Sequence, residues 1–144
     1  MLAFVYPVAL IASIGVGGAW LWSLVAINLV VVPLADHLTK AFAPTWRPSE
    51  SLQGVLFAEP VFWLYAAAQA LALGVALNAS KEGLTAIQYW GLVSSTGTMT
   101  GTAGITAAHE LIHRKKPALR ALGLFLLSMV MYMHFRIQHM LGHH

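Results

Sequence analysis

The first 35 residues contain no charged side chain, and the apolar runs that follow are separated by short polar stretches. As one helix the opening run would be about 50 Å long, against a hydrocarbon core of about 30 Å. It must therefore turn back on itself. The glycines of Gly15-Val16-Gly17-Gly18 free the backbone for a tight reversal there. The pattern predicts a first helix over 2–14 and a second over 19–34.

Residues 36–59 are polar, and Pro44, Pro48 and Pro60 interrupt any continuous helix, so this stretch is expected to be a loop with one interfacial turn. A third apolar helix is predicted over 61–79, where Ala66-Ala67-Ala68 offers a small-residue face for close helix contact. After a Lys81-Glu82-Gly83 turn, a fourth segment over 84–108 carries Gly91, Gly97, Gly101, Gly104 and many Ser and Thr residues. That mixture is poor for a soluble helix and suits one packed closely in a membrane. The fold class expected is all-α and integral to a membrane, with about four transmembrane helices in one domain over 1–144.

Composition agrees with the pattern. Of 144 residues, 58% are hydrophobic and 9% charged, where a soluble domain carries roughly 25% charged residues. With a mean hydropathy of +0.71, a soluble globular domain is excluded, because so short a chain leaves about a third of its surface exposed after folding. The absence of cysteine excludes disulfides, thiolate-bound zinc and iron–sulfur clusters. Eight Lys and Arg are too few for a nucleic-acid binder. Their placement orients the chain: Arg114, Lys115, Lys116 and Arg120 follow the fourth segment, while Lys81 and Glu82 cancel at its other end. The positive-inside rule puts the former on the cytoplasmic side. Counting backward, the loop with Lys40 and Arg47 and the N-terminus are cytoplasmic too.

Five of the seven histidines fall into two groups, His109-Glu110-Leu111-Ile112-His113 and His139-Met140-Leu141-Gly142-His143-His144. Each begins with an i, i+4 pair, which on a helix sets two imidazoles on one face about 6 Å apart, close enough to share a metal. HExxH alone most often marks a zinc protease with the Glu as base. Ligands that are nearly all imidazole suit zinc, copper or non-haem iron. A second group of three is surplus for one zinc and sensible for two metals, which favours a dinuclear oxygen-activating centre. Met129, Met131 and Met133 read as packing residues, since thioethers are poor partners for such iron.

Spacing constrains the path between the groups. Residues 117–133 are apolar enough for a membrane helix, but one crossing would put His113 and His139 on opposite faces, roughly 30 Å apart. The segment is therefore expected to lie along the interface or to dip in and return, and Arg120 and Arg136 place both its ends on the cytoplasmic side.

His109-Glu110-Leu111-Ile112-His113-Arg114-Lys115 resembles the first histidine box of the integral-membrane alkane hydroxylases, relatives of the membrane fatty-acid desaturases and hydroxylases. His134-Phe135-Arg136-Ile137-Gln138-His139-Met140-Leu141-Gly142-His143-His144 resembles their second box, and Pro33-Leu34-Ala35-Asp36 resembles the acidic exit of their second span. The resemblance implies a non-haem di-iron monooxygenase in a bacterial inner membrane, with its histidine boxes on the cytoplasmic side. Such an enzyme inserts one oxygen atom of O2 into the terminal C–H of a medium-chain alkane, with electrons from rubredoxin and the substrate entering from the lipid. Carried over by position, His109, His113, His139, His143 and His144 are metal ligands for two iron ions. Glu110 is the acidic residue of the site, accepting a ring N–H or tuning the charge of the centre, and His134 and Gln138 are outer partners that orient ligands. Gln138 stands where the family usually has Glu, which removes one negative charge. The chain ends at His144, before the family's third histidine box, and on this resemblance is expected to be an N-terminal, incomplete and inactive part of the enzyme.

Three other classes fit some of these residues. A fatty-acid desaturase or lipid hydroxylase shares the boxes and differs in substrate. A membrane zinc metalloprotease would use Glu110 as base. A metal transporter would need ionisable residues within the spans, which hold only Asn28, Gln69, Asn78 and Gln88 as polar candidates.

Overall fold

A computed structural model describes residues 2–42 and 59–142, and among them every regular element is helical. A single 3-10 turn, Leu2–Phe4, leads into α1, Val5–Val16. Gly17 and Gly18 follow with φ of 74° and 60°. Two successive left-handed residues are accessible to glycine at no steric cost, and they turn the chain back as the glycine cluster predicts. α2 then runs over 18–42, starting as 3-10 turns at Gly18–Trp22, widening to a π-segment at Ile27–Val31, and ending as α-helix at Val32–Phe42. The π-segment precedes Pro33. Proline lacks an N–H and clashes with the carbonyl four residues earlier, so a widened turn there relieves a helix that continues through it.

α2 also corrects the expected loop over 36–59. Asp36 lies inside the helix, which continues to Phe42, because no breaker follows Pro33 before Pro44. The rest of that stretch, with Pro44, Arg47 and Pro48, lies outside the described residues.

α3 is Glu59–Ala79, with Pro60 in its first turn, where a missing N–H costs nothing. The turn after it contains Lys81 to Gly83. Thr85 then caps the next helix in a reciprocal box: its hydroxyl accepts from the Gln88 N–H and the Gln88 side chain accepts from the Thr85 N–H, satisfying two donors that have no partner within the helix. From there α4 is helical without a break over 86–112, as Ala86–Thr98, a π-segment Met99–Gly104, and Ile105–Ile112. That is about 40 Å of helix. α5 is Pro117–Ser128 and α6 is His134–Gly142.

Two helices among the described residues are long and apolar enough to cross a membrane, Gly18–Thr39 and Glu59–Ala79. Val5–Val16 and Pro117–Ser128 are shorter apolar helices. Outward-facing Leu29, Val30, Val31, Val32 and Leu34 on α2 are exposed, a surface that suits lipid rather than water.

The core falls into two clusters. One joins α1, α2, α3 and α4 through Leu10, Leu21, Leu24, Ala72, Ala76, Leu92 and Met99, and the Ser95 hydroxyl within it donates to the Leu21 carbonyl at 2.6 Å. The other joins α3, the second half of α4 and α5 through Phe62, Tyr65, Ala66, Ala108, Leu111, Leu122 and Leu126. His109 and His113 adjoin Ala108, Leu111 and Ile112 of this second cluster in the chain.

Candidate metal centre

His109 and His113 lie one turn apart at the end of α4. Arg114, Lys115 and Lys116 make the short connection to α5, and Pro117 occupies the first turn of that helix, its ring fixing a φ suited to a helix start. α5 folds back along α4: Gly123 lies against Ala108, Leu111 and Ile112. Its 12 residues rise about 18 Å, well short of a hydrocarbon core. The chain turns at Met129–Met131, where Met131 has φ 53°, and α6 returns toward the end of α4.

The return brings the two histidine groups together. The Nε2 atom of His139 lies 2.9 Å from Nε2 of His109 and 3.0 Å from Nε2 of His113. Ligating atoms of the three all lie within 4.8 Å of one another. Metal–imidazole bonds are about 2.0–2.1 Å long, so two ligating nitrogens stand about 3.0 Å apart at right angles on one ion and about 3.4 Å apart in a tetrahedral arrangement. The observed separations therefore fit adjacent ligands on one metal ion. The donor set is all nitrogen, which suits zinc, copper and non-haem iron. His109 and His139 are partly buried and His113 is exposed, so the triad lies at the rim of the bundle.

Two ion pairs involve residues near the triad in the chain. The Glu110 carboxylate accepts from the Arg114 guanidinium at 2.8 Å, and that guanidinium also lies 5.5 Å from the centre of the Phe62 ring, a cation–π distance. Lys116 pairs with Glu59 at the start of α3. These contacts tie the α4–α5 connection to the start of α3.

Of the ligands expected from sequence, His109, His113 and His139 converge, while His143 and His144 lie outside the described residues. His134 is exposed at the start of α6, its ring edge-on to Tyr132 with centroids 4.7 Å apart, and it is not one of the converging three. Gln138 is exposed on α6. Sequence reasoning missed Phe135, whose ring stacks on His139 with centroids 5.1 Å apart and planes inclined by 14°. The signal was present: Phe135 precedes His139 by four residues, the spacing that puts both on one helix face.

Comparison with known proteins gives one consistent group. The chain is 31% identical over 134 residues to alkane 1-monooxygenase 2 of Alcanivorax borkumensis, covering 87% of this chain and 34% of that protein. It is 32% identical over 131 residues to alkane 1-monooxygenase 1 of Pseudomonas aeruginosa, again over 87% of this chain and 34% of the relative. Alkane 1-monooxygenase 2 of the same organism is 43% identical over 54 residues, 38% of this chain and 14% of its own length. The chain thus spans about a third of the length of the first two relatives. No family model matches, and no solved structure does.

Proposed function

We propose that this chain, which belongs to the alkane hydroxylase family, forms part of a non-haem di-iron monooxygenase that hydroxylates the terminal carbon of medium-chain alkanes. The observation that carries this reading is the meeting of His109 and His113 from α4 with His139 from α6, at separations of 2.9 and 3.0 Å. Two sequence groups whose nearest members are 26 residues apart supply one all-imidazole donor set, a kind that suits non-haem iron. When bound, iron supplies the activation of O2 and the insertion of one oxygen atom into a C–H bond.

The residues of the chain do the holding. His109, His113 and His139 bind, and His143 and His144, next in sequence on the same segment, complete the ligands this chain gives to two iron ions. Glu110, paired with Arg114, sets the charge beside His109 and His113. The same pairing counts against a metalloprotease, in which this carboxylate would have to act as base on water. His134 and Gln138 are outer partners of the second group.

In this proposal the chain sits in the bacterial inner membrane with the triad on the cytoplasmic side, since Arg114, Lys115, Lys116, Arg120 and Arg136 all fall in the stretch that follows His113. α1, its 12 residues lengthened to 15 by the three of the Leu2–Phe4 turn, and α2 to α4 are the four spans, whereas α5 dips in and returns. The alkane enters laterally from lipid, with which it shares its apolarity, and electrons come from rubredoxin.

The test is a chimera in which this chain replaces the matching segment of the Alcanivorax borkumensis alkane 1-monooxygenase, expressed with rubredoxin and octane. Octanol and about two irons per protein are expected. His109→Ala and His139→Ala should each abolish both without preventing membrane insertion, which depends on the apolar helices. Octanol from either variant at the parent level, zinc in place of iron, or no octanol from the parent chimera would overturn the reading.

A further inference from the structure

Three rings stand in a column at the start of α6. Tyr132 stacks on Phe135 with centroids 5.3 Å apart and planes inclined by 24°, and Phe135 stacks on His139 at 5.1 Å and 14°. Phe135 also meets His109 of α4, at 6.0 Å and 58°. It therefore touches ligands from both helices. The base of the column is anchored: the Tyr132 N–H donates to the Leu127 carbonyl at 2.9 Å, and Tyr132 and Phe135 pack on the core cluster of α3, α4 and α5. Immediately before it, Met131 sits in the left-handed region, which a side chain other than Gly adopts only when its surroundings enforce it.

We infer that Phe135 is a positioning residue for the metal centre, fixing the ring plane of His139 and its distance from His109. An imidazole on a helix has two side-chain torsions to set before its nitrogen points at an ion. The supports that set them in metal sites are usually hydrogen bonds to the far ring nitrogen. Here a flat apolar face also restrains the ring, because sliding or tilting His139 would part it from Phe135 or drive it into His109. The stack favours the loaded state as well. A metal-bound imidazole carries added positive charge, and the face of an aromatic ring is its negative side. A side chain of similar volume without a ring face loses both effects.

This inference rests on the triad being a metal site, and the experiment separates the two. The chimera described above, stripped of iron and held in detergent micelles, is titrated with Co2+, read by the ligand-field absorption of the bound ion, with helix content followed by circular dichroism. Phe135→Leu and Phe135→Met should raise the dissociation constant about tenfold or more, the size of effect seen when a ligand's support is removed, and should alter the spectrum of the bound ion. Phe135→Tyr and Phe135→Trp, which restore a ring face, should recover affinity and spectrum. A spectrum and affinity unchanged in both the Leu and Met variants, or aromatic variants no better than these, would overturn the role of Phe135 while leaving the triad in place. If the parent binds no Co2+, or binds it equally well as His139→Ala, the metal site itself is wrong and the role of Phe135 falls with it.

Discussion

Gly123 of α5 meets the backbone of α4 at Ala108: a Cβ at position 123 would lie 3.1 Å from the Ala108 carbonyl oxygen and 3.0 Å from the Leu111 Cβ. Both are tighter than ordinary packing, and a backbone oxygen cannot rotate out of the way. Ala108 immediately precedes His109, so this contact sets how closely the returning segment approaches the ligands. Gly123→Val should force α5 away from α4, costing about 1–3 kcal/mol as an overpacked interface does, and should weaken metal binding in parallel. Unfolding in mixed detergent micelles measures the first and Co2+ titration the second. Unchanged values for both would mean that the two helices are not held at this distance.

Much of this was legible in the chain. Gly17 and Gly18 announce the reversal between α1 and α2, and the two i, i+4 histidine pairs, with a segment between them that must return to the side it left, announce the meeting of His113 and His139. Polarity alone puts the end of α2 at residue 34, whereas the helix runs on to Phe42. A helix ends where its backbone is broken, and polar Asp36, His37 and Lys40 break nothing. The Phe135 stack was overlooked for a different reason. Beside five histidines an aromatic residue reads as packing, and only its orientation, nearly parallel to His139, gives it a part in the site. Gln69 appeared simply as a polar residue within a span, since its partners lie 4 and 60 residues away.

That glutamine is fully buried. Its Oε1 accepts from the Tyr65 hydroxyl at 2.6 Å, and its Nε2 donates to the Met129 sulfur at 3.6 Å, where the chain begins its turn toward α6. Gln69→Leu should cost about 1–3 kcal/mol, much of it from the buried Tyr65 hydroxyl left without its acceptor. Tyr65→Phe should cost less. The double variant should be more stable than the sum of the two predicts, because replacing both partners removes the stranded group. Strict additivity in detergent unfolding would show that the pair is not coupled.

Glu110 and Arg114 are about half and one-third exposed, and an ion pair so placed contributes about 0–1 kcal/mol to stability. Glu110→Gln is therefore expected to leave unfolding and membrane insertion unchanged. In the chimera it should lower octanol production about tenfold or more while iron remains bound, because a negative charge beside two ligands is lost and no ligand is. Turnover and iron content equal to the parent would reduce Glu110 to a surface ion pair.

The remaining prediction concerns the membrane. Over 86–112 the chain is one helix, about 40 Å long, separating the Lys81–Gly83 turn from the Arg114–Lys116 connection. A hydrocarbon core of about 30 Å fits between them, and the net basic charge after His113 should hold that end on the cytoplasmic side. The Ser and Thr residues of this helix do not prevent it from crossing. The hydroxyls of Thr96, Thr98 and Thr106 donate to carbonyls four residues back on the same helix, so their polar groups are satisfied without water. With no cysteine in the chain, a single one introduced at Lys81 or at Lys115 reports its own side. An impermeant thiol reagent should reach Lys81→Cys from outside intact spheroplasts, and should reach Lys115→Cys only after they are opened. Labelling of both from the same side would mean that this helix does not cross, and that the triad faces the compartment of the Lys81 turn.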